Sequence, residues 1–183
     1  MARSNFVIGI IGDKGAGKSV LLAYMLYIDH LQGRNIVSNF SLNFPHIQKT
    51  FRELSKMPKF LQNATVGYDE FHIAVDSRRS TSNSNIEFTT FLTQLRKRGC
   101  ILIYTTQLFT TMDKRVRDQT DIIISPIDNK EGVFIYQVMD RVTGEVLKIL
   151  RLDMNPVFKA NLYNTNEVIL FDNEELDSEE ETE

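Results

Sequence analysis

Gly12, Gly17, Lys18 and Ser19 match G-x-x-x-x-G-K-[ST], the spacing of a phosphate-binding loop, within the run Phe-Val-Ile-Gly-Ile-Ile-Gly-Asp-Lys-Gly-Ala-Gly-Lys-Ser over residues 6–19. Small residues there let successive backbone N–H groups point into one concavity, and a helix beginning at its end adds a positive dipole. A cradle built from Gly12, Asp13, Lys14, Gly15, Ala16, Gly17, Lys18, Ser19 and Val20 fits a polyphosphate. Lys18 would reach its β- and γ-phosphates, and the Ser19 hydroxyl would be a ligand of Mg²⁺.

Two carboxylates complement this loop. Ala-Thr-Val-Gly-Tyr, residues 64–68, reads as a buried strand that runs into Asp69-Glu70, an acid pair of the Walker-B kind. On alternating strand geometry the two acids face opposite ways and divide the work. Asp69 is the candidate for holding Mg²⁺ opposite Ser19, and Glu70 for orienting and polarising an attacking water. Cys-Ile-Leu-Ile-Tyr-Thr, residues 100–105, is the next apolar strand and ends in Thr106-Gln107. The Gln107 amide at that tip is placed to sense a γ-phosphate or its water.

The elements that would position these groups alternate between strand and helix. Residues 6–11 read as a strand and 20–31 as a helix with Gly33 as its stop, followed by a strand over 35–39. The spacing of Ile47, Phe51 and Leu54 predicts a helix over 46–57, ended by Pro58. Residues 77–85 contain no apolar side chain and predict an exposed loop. Ser84 and Glu87 are spaced as a capping box for a helix that buries Phe88, Phe91, Leu92 and Leu95 and stops at Gly99. Arg96, Lys97 and Arg98 cluster at its C-terminal end, where cations also serve the helix dipole. A short helix or turn over 110–119 carries Lys114, Arg115 and Arg117. Strands are expected over 121–127, 132–141 and 145–152, the last two forming an antiparallel hairpin around 142–144. Beyond Asn155 the chain reads as irregular, with one more possible strand over 168–171.

The length of 183 residues and an apolar content of 42% suit one α/β domain, 1–171, with a sizeable core. Residues 172–183 hold eight acids and no base, a composition that predicts a disordered tail. The other 171 residues carry 21 basic and 16 acidic side chains, a net charge of +5 that permits nucleic-acid binding without requiring it. One cysteine, Cys100, excludes an internal disulfide framework, and His30, His46 and His72 are too scattered for a metal cluster. Neither a secretory leader nor an apolar run of membrane-spanning length is present, so a soluble protein is expected. Asn129-Lys130-Glu131-Gly132 lacks the aspartate of a guanine-reading Asn-Lys-x-Asp motif, which favours ATP over GTP.

The order of parts carries a resemblance: the phosphate loop, Asp69-Glu70-Phe71-His72, Gln94-Leu95-Arg96-Lys97-Arg98-Gly99, the strand ending at Gln107, then Asp113-Lys114-Arg115-Val116-Arg117. Over roughly residues 5–125 it resembles the P-loop ATPases with a Walker-B glutamate, in particular the branch of DNA-pumping motors related to FtsK and HerA. It is similar to the genome-packaging ATPases of internal-membrane icosahedral viruses, including the archaeal turreted icosahedral viruses. It also resembles the Zot-like assembly ATPases of filamentous phages, but lacks the membrane-spanning segment usual in them.

The resemblance implies a RecA-like sheet, mostly parallel, with the Gln107 strand between the phosphate-loop strand and the Asp69 strand. It implies a homo-oligomeric ring, commonly hexameric, with ATP and Mg²⁺ at subunit junctions. An arginine of one subunit would complete the site of the next, with Arg117 as first choice and Arg96 and Arg98 as alternatives. The implied activity is ATP-driven translocation of double-stranded DNA into a viral capsid, with Arg78 and Arg79 on the DNA-contacting loop. Portal or vertex proteins of the capsid would be partners. The location would be the host cytoplasm, with association at the virion vertex. An ATPase of virion assembly or extrusion acting on protein or single-stranded DNA, and a slow nucleotide-dependent switch, are the other readings.

Overall fold

Strand β1 (Val7–Ile11) lies inside a mixed sheet whose described strands run in the order β3-β2-β4-β5-β1-β6-β7-β8. The computed structural model describes residues 6–76, 84–112, 114–130 and 132–163. The other strands are β2 (Asn35–Ser38), β3 (Ile47–Gln48), β4 (Ala64–Tyr68), β5 (Ile101–Thr106), β6 (Ile122–Lys130), β7 (Val133–Asp140) and β8 (Val146–Asp153). Helices are α1 (Lys18–Leu31), α2 (Phe51–Ser55), α3 (Phe71–Asp76), α4 (Ser84–Lys97), α5 (Lys114–Gln119) and α6 (Met154–Lys159).

From β3 to β6 every pairing is parallel, with β1 beside β5 in the register Gly9↔Tyr104 and beside β6 in the register Ile8↔Ile122. Parallel strands need crossovers, and the crossing helices cover both faces; β1, β4 and β5 are therefore near-continuous apolar runs. On one face Leu22, Leu26, Ile10, Ile103 and Tyr136 pack together, with α1 and α6 as the cover. On the other, Phe51, Tyr68, Phe71, Phe91 and Tyr104 form an aromatic cluster, with Phe51 and Phe91 centroids 5.0 Å apart and Phe71 and Tyr104 5.1 Å apart. Each fully buried ring contributes about 1.5–3 kcal/mol of transfer free energy.

The α/β class, the central sheet flanked by helices and the C-terminal antiparallel hairpin all agree with the sequence reading. β5 lies between β1 and β4, as the resemblance implied. Gly33 and Gly99 follow their helices in the left-handed conformation and act as the expected stops.

Four expectations are corrected. Residues 46–57 are not one helix: Ile47–Gln48 joins the sheet as β3 and only Phe51–Ser55 is helical. The reason is Thr50, whose hydroxyl accepts from the Glu53 amide while the Glu53 carboxylate accepts from the Thr50 amide, a capping box that starts the helix there. The sixth strand continues past 127 to Lys130, through an irregularity between Pro126 and Asp128, and is itself antiparallel to β7. Residues 155–163 are not irregular: Asp153 accepts from the Asn155 amide to cap α6, and Tyr163 then bridges antiparallel to Leu42. Finally, Asp69 and Glu70 lie beyond β4, and Glu70 has a left-handed φ of 50°, so a turn rather than strand alternation separates them.

The loop at 77–83, with Arg78 and Arg79, the strand at 168–171 and the tail at 172–183 lie outside the described residues. So do the side chains of the Ser84–Glu87 capping box, although the backbone of α4 begins at Ser84.

Candidate active site

The glycine run forms the turn between β1 and α1. Gly15 and Gly17 have φ of 79° and 83°, and Ala16 N–H donates to the Asp13 carbonyl at 3.2 Å. Gly17 is the cap residue before Lys18, so α1 points the free N–H groups of its first turn at the loop. Lys18 is 5% exposed and folds back to donate from Nζ to the Asp13 carbonyl at 3.0 Å, which closes the cradle around its own backbone.

Two of these glycines are imposed by distant residues. A Cβ on Gly17 would lie 2.4 Å from Cε1 of Phe134, and one on Gly12 would lie 2.7 Å from Cγ of Pro126. Tyr136 adds a hydrogen bond from its hydroxyl to the Gly17 carbonyl at 3.1 Å. Phe134 and Tyr136 on β7 thus form a wall behind the loop that no local motif announces.

Ser19 brings the acid pair to this loop. Its hydroxyl donates to Oδ2 of Asp69 at 2.8 Å, although the two residues are fifty positions apart. The other Asp69 oxygen, Oδ1, accepts from the Thr105 hydroxyl, and that hydroxyl also accepts from the Glu70 N–H at 2.9 Å. Asn39 holds the Asp69 backbone on both sides, accepting from its N–H at 2.8 Å and donating to its carbonyl at 3.0 Å. Asp69, Asn39 and Thr105 are all buried, so each polar atom here has the partner that burial demands.

Glu70 projects from its left-handed turn with its carboxylate about a quarter exposed, and Oε2 lies 3.3 Å from Nδ1 of His72. Gln107 is exposed just past β5, beside the first loop residue, because Gly12 N–H donates to the Thr106 carbonyl at 3.3 Å.

Thr105, Asn39 and His72 were not singled out for the site from the sequence. Thr105 is a hydroxyl at the end of an otherwise apolar strand, a signal that was readable; His72 stands in the quoted Asp69-Glu70-Phe71-His72 run, and Asn39 carried no signal.

The Ser19 hydroxyl and the Asp69 carboxylate are hard oxygen donors at the start of a helix, the donor chemistry that suits Mg²⁺. Among the described residues no group of three or more His, Cys, Asp or Glu could hold a metal unaided.

Tyr163 enters the same neighbourhood from the far end of the chain. Burial pushes its phenol up to about 12, and the nearby Asp69 carboxylate pushes in the same direction.

The three candidate arginines sit apart from the cradle. Arg96 Nη2 donates to the Gln119 carbonyl at 2.8 Å and to both Asp121 carboxylate oxygens at 2.9 Å. Arg98 Nη1 donates to the carbonyls of Met57 and Pro58, each at 3.0 Å. Arg117 lies on α5; its buried Nε, like that of Arg96, has no hydrogen-bond partner among the described residues. Because α5 leads into the N-terminal end of β6, Arg117 is near the end of the strands opposite its own phosphate loop.

No family model and no curated protein sequence matches the chain. Solved structures do. The N-terminal domain of zonular occludens toxin from Neisseria meningitidis is similar with a TM-score of 0.63 and 20% identity, over 88% of this chain and 100% of that one. The genome-packaging NTPase B204 of Sulfolobus turreted icosahedral virus 2, in complex with ATP-gammaS, is similar with a TM-score of 0.61 and 16% identity, over 81% and 97%. The flagellar accessory protein FlaH from Methanocaldococcus jannaschii gives a TM-score of 0.61 and 11% identity, over 83% and 86%. The chain has the P-loop NTPase fold of these neighbours. No helix among the described residues is long and apolar enough to cross a membrane.

Proposed function

We propose that the protein is a Mg²⁺-dependent ATPase that translocates double-stranded DNA and packages a viral genome into a capsid. One observation carries the hydrolytic part of this reading: Ser19 and Asp69 are hydrogen-bonded at 2.8 Å, with Glu70 tied into the same cluster through Thr105. The likeness of the fold to a packaging NTPase with a bound ATP analogue supports the choice of nucleotide.

In this mechanism the triphosphate lies against the backbone of residues 12–19, and Lys18 exchanges the Asp13 carbonyl for the β- and γ-phosphates. Ser19 and Asp69 would hold the metal, which would neutralise charge on the phosphate oxygens. Glu70 accepts the proton of a water whose oxygen attacks the γ-phosphorus; the bond to the leaving oxygen of ADP breaks and phosphate is released. Thr105 keeps the Glu70 backbone in register with Asp69. Gln107, just past the strand between β1 and β4, is positioned to respond to the γ-phosphate and pass that response to the rest of the molecule.

Arg117 acts in the site of the neighbouring subunit of a ring, expected to be hexameric, and stabilises charge as it develops on the transferring group. The place of α5 at the end of the sheet away from its own cradle supports this role, whereas Arg96 and Arg98 are held by carbonyls and Asp121. Contact with the DNA backbone falls to the segment that carries Arg78 and Arg79 and needs no base reading. A capsid portal or vertex protein would anchor the ring.

The likeness to the zonular occludens toxin domain supports a second reading, an assembly or extrusion ATPase that handles protein or single-stranded DNA. ATP turnover measured with duplex, with single strands and without nucleic acid, at low and moderate salt, separates the two. A packaging motor is stimulated by duplex, and the stimulation falls with salt. Stimulation by single strands alone favours extrusion, and turnover indifferent to both polymers removes DNA translocation.

A further inference from the structure

Strand β8, eight residues long, is an edge of the sheet. Among the described strands it pairs with β7 alone, so every second N–H and C=O along it points outward without a ladder partner. Its side chains are apolar on both faces. Leu150 and Leu152 pack on the α1 side of the sheet, whereas Val146 and Ile149, opposite Met139 and Gln137, are 47% and 45% exposed on the other. No residue of β6, β7 or β8 belongs to the buried cluster of that second face, so among the described residues this end of the sheet has a core on one side only.

We propose that this edge takes up residues 168–171 of a second copy of the chain as a further strand, with the acids that follow them lying along Lys148 and Arg151.

The chain beyond Tyr163 supplies the segment. Val-Ile-Leu-Phe, residues 168–171, is its one run of consecutive apolar residues. Extended, that run is apolar on both faces, which is what an edge apolar on both faces demands of its partner. From 172 to 183 there follow eight acids and no base. Lys148 and Arg151 are the bases of β8, both exposed, and neither has an ion-pair partner among the described residues. Pairing β8 with another β8 would bring these bases together, whereas the acidic residues neutralise them.

Reach decides which copy supplies the run. Tyr163 is held on the far side of the sheet: it bridges to Leu42, its ring centroid is 6.0 Å from that of Phe40, and its phenol is near Asp69 beyond β4. β4 and β8 are five places apart in the sheet order, a distance of about 24 Å. Residues 164–167 extend at most about 14 Å. The run therefore falls short of its own β8 and meets that of a neighbour. This requires self-association but neither nucleotide nor DNA, so it stands or falls separately from the activity proposed above.

The test is deuterium uptake by the β8 amides of the full chain, without ATP. Ile169→Pro removes a ladder N–H from the run and leaves β8 and the acids as they are. The wild-type β8 amides should exchange about tenfold more slowly than those of Ile169→Pro, and the difference should grow with protein concentration. Isotope-labelled Ile169→Pro is then mixed with unlabelled wild type. The labelled β8, whose own run cannot pair, should regain protection from the wild-type chains. Equal exchange in the two proteins, whether fast from an open edge or slow from an edge covered by something else, overturns the proposal. Protection that the wild type shows and the labelled variant does not regain places the run on its own chain, and the exchange between copies falls.

Discussion

The Thr105 hydroxyl lies 2.9 Å from the Glu70 amide nitrogen and donates to Asp69, so one side chain on the strand beside β1 holds both acids of the site. A valine there has nearly the same shape but cannot bond either partner. Thr105→Val should lower kcat by about 5–150-fold, the equivalent of the ~1–3 kcal/mol lost when a buried polar group is left unpaired. The KM for ATP should change little, because the phosphate cradle is untouched. Thr105→Ser should recover most of the rate; a serine variant as slow as the valine one would show that packing, not the hydroxyl, matters.

Glu70→Gln keeps the size of the side chain and removes the base. ATP turnover should fall by about 10²–10⁴-fold while ATP affinity stays within a few-fold of wild type. A variant that hydrolyses at the wild-type rate would remove Glu70 from proton transfer.

Gly17→Ala tests the wall behind the loop. The new methyl would lie 2.4 Å from the Phe134 ring at a φ of 83°, and the left-handed conformation alone costs an L-residue about 1–2 kcal/mol. Both the melting temperature and ATP affinity should drop. Unchanged ATP affinity in the folded variant would mean that Phe134 does not shape the cradle.

Lys18→Ala and Arg117→Ala should each be inactive alone, and mixing them should partly restore hydrolysis if the arginine acts across a junction. Arg117→Ala should leave ATP binding intact, whereas Lys18→Ala should not. An absence of rescue at every mixing ratio would count against Arg117 as the residue supplied in trans.

Tyr104, Tyr136 and Tyr163 all have phenols raised above their ordinary range by burial, with Tyr163 pushed up to about 12. The unfolded phenols ionise near ~10, so above that pH the native state binds more protons than the unfolded one and stability falls as pH rises. Spectroscopic titration should show Tyr104, Tyr136 and Tyr163 ionising late, with the delay lost on unfolding. Tyr163→Phe should flatten the alkaline decline; a profile identical to wild type would contradict the raised phenol.

Much of the site was legible because its signals are local. The phosphate loop and the acid pair each sit within a few consecutive residues, and an apolar run before each announces a strand end. The neighbouring position of β5 followed from a resemblance and not from any pattern in its own residues. The helix expected over 46–57 failed because Ile47, Phe51 and Leu54 fit helical spacing equally well as one sheet residue and two residues of a short helix. Thr50 and Glu53 marked the true start and were readable as a capping box. What could not be read is the convergence of Asn39 on Asp69, or of Phe134 and Tyr136 on Gly17, since neither partner alters the local pattern of the other.

The Tyr136–Gly17 bond joins positions 119 residues apart, and it has a consequence for synthesis. A nascent polypeptide displays its whole glycine turn early, yet the turn gains its backing only after β7 has left the ribosome and docked. Products of premature termination ahead of that strand should therefore be blind to nucleotide, however faithfully they carry the motif.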